Sequence, residues 1–159
     1  RIGLQLYNVY LNEADEWSRR LQVEAGEWAL ELHRPLPDSM VALAHSLAGS
    51  SGTVGFTALS ELARLLEQAL SHVQLAPSGR PHHAAAFVAA AEDIRRLLHQ
   101  FAAGFLRHAE AGVAEALRAV LAEDVAASQP PVPTPLELES VADGLSQLSS
   151  RPRPGLQKL

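Results

Sequence analysis

Residues 44–56 read AHSLAGSSGTVGF, and this stretch joins two segments whose apolar residues recur with helical spacing. Gly55 is a natural end for the first segment, because glycine readily adopts the backbone conformation that terminates helices. An amphipathic segment then runs from Thr57 to Leu75. The pattern therefore predicts an antiparallel helical hairpin centred on Phe56.

The register of this hairpin predicts a chemical site on its surface. Because 45 and 67 average to 56, Glu67 falls opposite His45, and Arg64 lies one turn nearer the tip. A carboxylate that accepts a hydrogen bond from one imidazole nitrogen fixes the tautomer, and the other nitrogen keeps a free lone pair that can attack phosphorus. Arg64 could then pair with phosphoryl oxygens. Gly49, one turn after His45, leaves the approach to the ring open. We therefore predict that His45 accepts a phosphoryl group, oriented by Glu67.

Helical spacing on both sides of the hairpin predicts an all-α protein. Upstream, residues 2–32 carry an apolar stripe, which the two prolines of residues 33–37 interrupt. The low aromatic content of 5% and the abundance of alanine and leucine also favour helices over strands. The stripe comprises Tyr10, Ala14, Trp17, Leu21, Ala25, Trp28 and Leu32.

The segment that follows the loop at residues 76–81 has helical spacing as far as Val120. This spacing predicts one long helix, or two helices divided near Gly104 or Gly112. We favour a helix to about residue 103 that continues as a helical extension.

The composition limits the classes of function. The formal net charge is −5, with 13 basic and 18 acidic residues, which argues against a nucleic-acid surface and suits a protein partner. The absence of cysteine excludes a disulfide framework and a thiol nucleophile. The longest strictly apolar run, Ala84–Ala91, is too short to cross a bilayer, so we expect no membrane contact. Because the chain begins with arginine, we expect it to be a piece of a longer polypeptide.

The other polar residues of the fourth segment predict no further chemistry. His82 and His83 are adjacent, so on a helix they point about 100° apart and make a poor metal site. Without cysteine or a His-x-x-x-His pattern, we expect no metal and no other cofactor. The charged residues Glu92, Asp93, Arg95 and Arg96 are most simply a solvated helix face.

The residues from His45 to Phe56 resemble the motif of histidine phosphotransfer (HPt) domains, a His-x-x-Lys-Gly sequence followed by small residues and a glycine. More narrowly, they resemble the phosphotransfer domain of the chemotaxis kinase CheA and of CheA-like hybrid kinases with several such domains. Residues 10–16, YLNEADE, resemble the acidic segment that opens that domain. The resemblance covers about residues 2–104 and is densest over residues 44–70.

This resemblance implies an antiparallel up-and-down four-helix bundle and phosphorylation of His45 on its outward nitrogen. A histidine kinase catalytic domain would donate the phosphoryl group, and the aspartate of a response-regulator receiver domain would accept it, in the cytoplasm. Glu67 falls where CheA-type domains have a glutamate bonded to the imidazole. Arg64 falls where they often have another polar or basic side chain near the phosphate. Ala48 stands where the family usually has a lysine that is thought to steady the phosphoryl group.

From the motif we further predict which side chains touch the partner domain and how the chain is divided. The predicted partner contacts are Leu47, Ala48, Ser51 and Phe56. The predicted parts are an HPt four-helix bundle over residues 2–104, a helical extension of its last helix over 105–127, a proline-rich linker over 128–135, and a short amphipathic helix with a loose tail over 136–159.

Two alternatives use the same residues. Ala48 motivates a degenerate HPt-like docking or dimerisation module that carries out no phosphotransfer. The other alternative is a plain helical segment, in which Arg64 and Glu67 form an ordinary i,i+3 ion pair on a solvated face.

Overall fold

The computed structural model describes residues 4–125, and these residues form five helices and no strand. The all-α prediction is therefore confirmed for this part of the chain. The predicted linker over 128–135 and the predicted amphipathic helix and tail over 136–159 lie outside the described residues. The helices are α1 (Leu4–Ala29), α2 (Asp38–Thr53), α3 (Thr57–Val73), α4 (Pro81–Ala102) and α5 (Ala111–Ala122).

Among themselves, the first four helices each pack against two others. Helix α1 contacts α2 and α4, and helix α3 contacts α2 and α4, so the core lies between all four. Helix α5 packs on the outside, against α3 and α4. No helix within residues 4–125 combines the length and apolar character needed to cross a membrane.

The apolar stripe of α1 faces this core. Five of its seven predicted members are buried, whereas Trp17 and Leu32 are partly covered. Burying a leucine or an aromatic side chain contributes about 1.5–3 kcal/mol, so such a stripe is enough to fix the face that α1 presents. The five buried members are Tyr10, Ala14, Leu21, Ala25 and Trp28.

The hairpin tip ends α2 with a Schellman motif. Gly55 has a φ of +83°, its amide donates to Gly52 O at 3.1 Å, and the amide of Phe56 donates to Ser51 O at 2.8 Å. Only glycine adopts this backbone without a steric cost, so Gly55 determines where the helix ends and the turn begins. The ring of Phe56 then stacks on Phe101 of α4 at a centroid distance of 4.3 Å.

Helix α4 ends in the same way, and the described residues after Gly104 do not continue it. Gly104 has a φ of +97°, and the amide of Phe105 donates to Gln100 O at 2.8 Å. The chain then runs without helix until α5 begins at Ala111. Of the arrangements that the spacing allowed, the structure has two helices divided near Gly104, because the glycine closes α4 with its own cap.

Asp93 lies in the interior between α4 and α5, so its interpretation as part of a solvated face is wrong. It is 5% exposed, its Oδ1 accepts from Arg96 Nε at 2.7 Å, and its Oδ2 accepts from the amide of Glu110 at 2.9 Å. Arg96 also donates to His108 O at 3.0 Å. The pair therefore ties the α4–α5 loop to α4 and supplies an acceptor at the start of α5.

Candidate functional site

His45 lies in the middle of α2 and points away from the core. Its side chain is 72% exposed, whereas its helix neighbours Ala44 and Leu47 are fully buried. The ring is therefore open to a second molecule while the helix that carries it is held by packing on its opposite side.

Glu67 of α3 meets this ring across the hairpin. His45 Nδ1 and Glu67 Oε2 are 2.9 Å apart, and the glutamate side chain is 24% exposed. The register calculated from the sequence places these two side chains opposite each other, and the structure brings them into hydrogen-bond contact. A carboxylate only accepts, so in the neutral imidazole Nδ1 carries the proton and donates it to Glu67. Nε2 is left with its lone pair on the exposed side of the ring.

A close contact between α2 and α3 holds this register. The Ser60 hydroxyl donates to Ala48 O at 2.7 Å in the buried seam, and a Cβ added at Gly52 would lie 3.2 Å from Ser60 Oγ. An alanine at position 52 would lie closer to this hydroxyl than ordinary packing allows, so Ser60 would have to shift. Sequence reasoning missed Ser60 in this role, although 52 and 60 also average to 56, and that symmetry is the signal that could have found it.

Arg64 provides a positive charge one turn from Glu67. It is exposed, and among residues 4–125 its guanidinium has no hydrogen-bond or ion-pair partner. The ion pair with Glu67 that a plain helix face would show is not formed, and the glutamate bonds His45 instead. By the hairpin register Arg64 lies opposite Ala48, where the phosphotransfer motif usually has its lysine.

Gly49 leaves open space on the exposed side of α2. A Cβ built at this position would meet no heavy atom within 4 Å. Within the described domain, glycine is therefore not required by packing.

The four predicted partner contacts are all buried, so their assignment to the docking surface is wrong. Each is at most 2% exposed, because α1 and α3 cover the side of α2 opposite His45, and Phe101 of α4 stacks on Phe56. The residues concerned are Leu47, Ala48, Ser51 and Phe56.

Ser51 has a structural partner of its own. Its hydroxyl shares a hydrogen bond of 2.6 Å with the hydroxyl of Tyr10, on α1. Burial raises the pKa of Tyr10 to about 12, so this phenol stays protonated and the bond ties α1 to α2.

Comparison with known families identifies the class of domain. Residues 5–150 match the family model of the Hpt domain, which is most of the chain, and the chain therefore belongs to the Hpt domain family. This is the class of histidine phosphotransfer domains that act in two-component phosphorelays. No curated protein matches the chain.

Proposed function

We propose that His45 is the phosphoryl-accepting residue of this domain and that it passes the group to the aspartate of a response-regulator receiver. The observation that supports this most directly is the exposed ring whose Nδ1 is bonded to Glu67 at 2.9 Å. A histidine in that state presents Nε2 as a nucleophile and has its orientation fixed in advance.

The first step forms a bond between Nε2 of His45 and phosphorus. Nε2 attacks the γ-phosphorus of ATP held by the kinase, the bond from phosphorus to the bridging oxygen breaks, and ADP leaves with the bonding electron pair. The ring becomes positively charged while Nδ1 keeps its proton. Glu67 stabilises that charge through a charge-assisted hydrogen bond, which is stronger than a neutral one.

The second step transfers the group onward. A receiver carboxylate attacks phosphorus, the nitrogen–phosphorus bond breaks, and the electron pair returns to Nε2. The ring is neutral again, with its proton still on Nδ1 and Glu67 still in place. The same hydrogen bond between His45 and Glu67 is thus kept through both steps of the transfer.

Arg64 is proposed to supply the charge that lysine supplies elsewhere in the family. Position 48 faces the buried seam and carries alanine, whereas Arg64 extends from the opposite helix at the same level of the hairpin. The planar guanidinium can donate to two phosphoryl oxygens at once, so it is well suited to bind the phosphoryl group. Gly49 would then keep the entry side free of a side chain.

We further propose that α1–α4 form the up-and-down bundle of the CheA-type phosphotransfer domain. The donor would be a CheA-type histidine kinase domain in the cytoplasm, where ATP is available. Because the motif residues first assigned to docking are buried, the partner surface would consist of exposed positions around His45, such as Gly49, Arg64 and Gln68.

Ala48 in place of lysine favours a second candidate, a docking or dimerisation module that is never phosphorylated. In that case a receiver domain would bind the wild-type chain and the His45→Gln variant equally well, and neither protein would carry phosphohistidine.

Direct phosphorylation distinguishes the two functions without knowledge of the cognate kinase. The purified chain is incubated with phosphoramidate, a small donor that phosphorylates histidine, and the product is analysed by mass spectrometry and phosphorus NMR. We expect one acid-labile phosphoryl group on His45, none at that position in His45→Ala, and wild-type behaviour in His33→Ala, since His33 is also exposed.

Transfer is then tested by adding a CheA-type kinase domain with ATP, or a receiver domain to the phosphorylated chain. Label that survives His45→Ala at wild-type level, or a His45 that stays unmodified by both donors, would overturn the proposal.

A further inference from the structure

Three histidines from two helices converge on one glutamate. His82 and His83 begin α4, His72 lies near the end of α3, and Glu123 directly follows α5. His82 Nε2 lies 2.6 Å from Glu123 Oε2, His83 Nε2 lies 2.8 Å from Oε1, and His72 Nε2 lies 2.6 Å from the backbone oxygen of Glu123. This cluster has no place in the proposed phosphotransfer chemistry.

The expectation that His82 and His83 diverge is wrong. Their ring centroids are 4.3 Å apart, and both rings turn toward the same carboxylate. The 100° step between adjacent helical residues describes where side chains leave the backbone. It does not decide where the two imidazole rings lie when a glutamate that follows a packed helix accepts hydrogen bonds from both.

We propose that His82, His83 and Glu123 form a binding site for a divalent transition metal, with Zn²⁺ as the best fit. One ligand atom from each residue lies within 4.8 Å of the others, so small side-chain movements bring all three around a single ion. Two imidazole nitrogens and a carboxylate oxygen are a donor set that suits zinc. Hard cations such as Mg²⁺ prefer oxygen ligands alone, so they should bind poorly.

The exposure of the three residues suits an ion that enters from solvent. His83 is buried at 1% exposure and anchors one side, whereas the side chains of His82 and Glu123 are 57% and 29% exposed. A water molecule can therefore occupy the fourth position of a tetrahedral site on the side of His82.

Metal binding requires the imidazole protons to move. His83 Nδ1 accepts from the amide of Arg80 at 3.1 Å, so in the neutral ring the proton is on Nε2, and that proton is donated to Glu123. To bind a metal through Nε2, His83 must carry its proton on Nδ1 and give up the bond from Arg80. This cost makes the site weaker than a structural zinc site, and we expect a reversible one.

An ion held here would join the start of α4 to the end of α5. Because the ligands come together only when α5 is packed, the metal binds the folded chain in preference to the unfolded chain and raises its melting temperature. The prediction is independent of His45, which is not part of this cluster.

The test uses the whole chain, treated with a chelator and dialysed, and titrated with ZnCl₂ by calorimetry and by thermal unfolding. We expect one Zn²⁺ per chain and a zinc-dependent rise in melting temperature, with no such rise from MgCl₂. His82→Ala should weaken binding at least tenfold, whereas the exposed His33→Ala should bind like the wild type. Co²⁺ should give the intense visible bands of a tetrahedral site in the wild type and lose them in His82→Ala.

His82 is chosen because its exposed side chain can be removed with little risk to folding, and circular dichroism checks that the variant stays helical. Equal zinc affinity in His82→Ala and His33→Ala would show adventitious binding to surface histidines and overturn the proposal. Absence of any zinc-dependent stabilisation of the wild type would overturn it as well. A His45→Ala variant that binds zinc normally would separate this site from the phosphotransfer site.

Discussion

Glu67 is about three-quarters covered and offers one carboxylate oxygen to His45, so its role rests on a single bond at 2.9 Å. The carboxylate does two things for the ring, because it fixes which nitrogen is protonated and it stabilises the positive charge that phosphorylation creates. A neutral amide at this position could fix the protonated nitrogen, but it could not stabilise the positive charge to the same extent. Two substitutions therefore separate orientation from charge.

We expect Glu67→Ala to slow phosphorylation of His45 by roughly 10- to 150-fold, since a hydrogen bond to a charged group contributes about 1.5–3 kcal/mol. The phosphorylation rate of Glu67→Gln should fall between those of Glu67→Ala and the wild type. The rates are measured with phosphoramidate or a kinase domain. Glu61→Gln, an exposed change on the same helix, is the matched control and should leave the rate unchanged. Wild-type rates in Glu67→Ala would remove this residue from the site.

Arg64 is the other residue whose contribution can be isolated, because it is exposed and unpaired within the described residues. Arg64→Ala should slow transfer to a receiver while changing the free energy of unfolding by no more than about 0.5 kcal/mol, as surface substitutions usually do. Arg64→Lys should have a transfer rate between those of Arg64→Ala and the wild type, because lysine keeps the positive charge but cannot donate two parallel hydrogen bonds. Arg118→Ala, an exposed change on α5, serves as the control. Equal transfer rates in Arg64→Ala and the wild type would exclude a phosphate contact.

At the scale of elements, the α2–α3 hairpin is the unit that makes the site. Its turn depends on a glycine with positive φ, and its register depends on the close approach of Gly52 and Ser60. Neither feature touches His45. Both decide whether the glutamate of α3 reaches the histidine of α2.

Gly55→Ala should lower the free energy of unfolding by about 1–2 kcal/mol, because a Cβ at φ +83° crowds the following backbone. The melting temperature should fall by several degrees. Gly112→Ala is the matched control, since Gly112 lies inside α5 with nothing within 4 Å of an added Cβ. That change should be neutral or stabilising, because alanine favours helix over glycine. Equal melting temperatures for the two variants would mean that the turn does not require glycine.

At the scale of the whole molecule, α5 is fastened to the other helices at both ends. Asp93 and Arg96 hold the loop before it, and three imidazoles meet the residue after it. Because α5 packs on α3, the helix that carries Glu67 and Arg64, these fastenings also support the helix behind the site.

Asp93→Ala should destabilise the protein by about 1–3 kcal/mol, because the Glu110 amide loses its buried acceptor and the Arg96 guanidinium loses its carboxylate partner. Hydrogen exchange should show the amides of α5 losing protection before those of α2. Glu92→Ala, an exposed change at the neighbouring position of α4, is the control and should have little effect. Unchanged protection of α5 in Asp93→Ala would contradict this account of how the helix is attached.

The sequence by itself determined the all-helical class, the turn at Gly55 and the partnership of positions 45 and 67. These follow from local rules, since apolar spacing sets a helix face, glycine sets a positive φ, and the midpoint of a hairpin sets its register. Nothing about the rest of the fold is needed to obtain them.

Only the tertiary structure decided which motif residues are covered. Leu47, Ala48, Ser51 and Phe56 are covered by packed helices, with Ser51 bonded to Tyr10 and Phe56 stacked on Phe101, and the Asp93 carboxylate bonds the loop that follows Gly104. The meeting of His82 and His83 with Glu123 likewise joins residues about 40 positions apart. Burial and convergence depend on what packs from the other side, and periodicity along one helix carries no information about that neighbour.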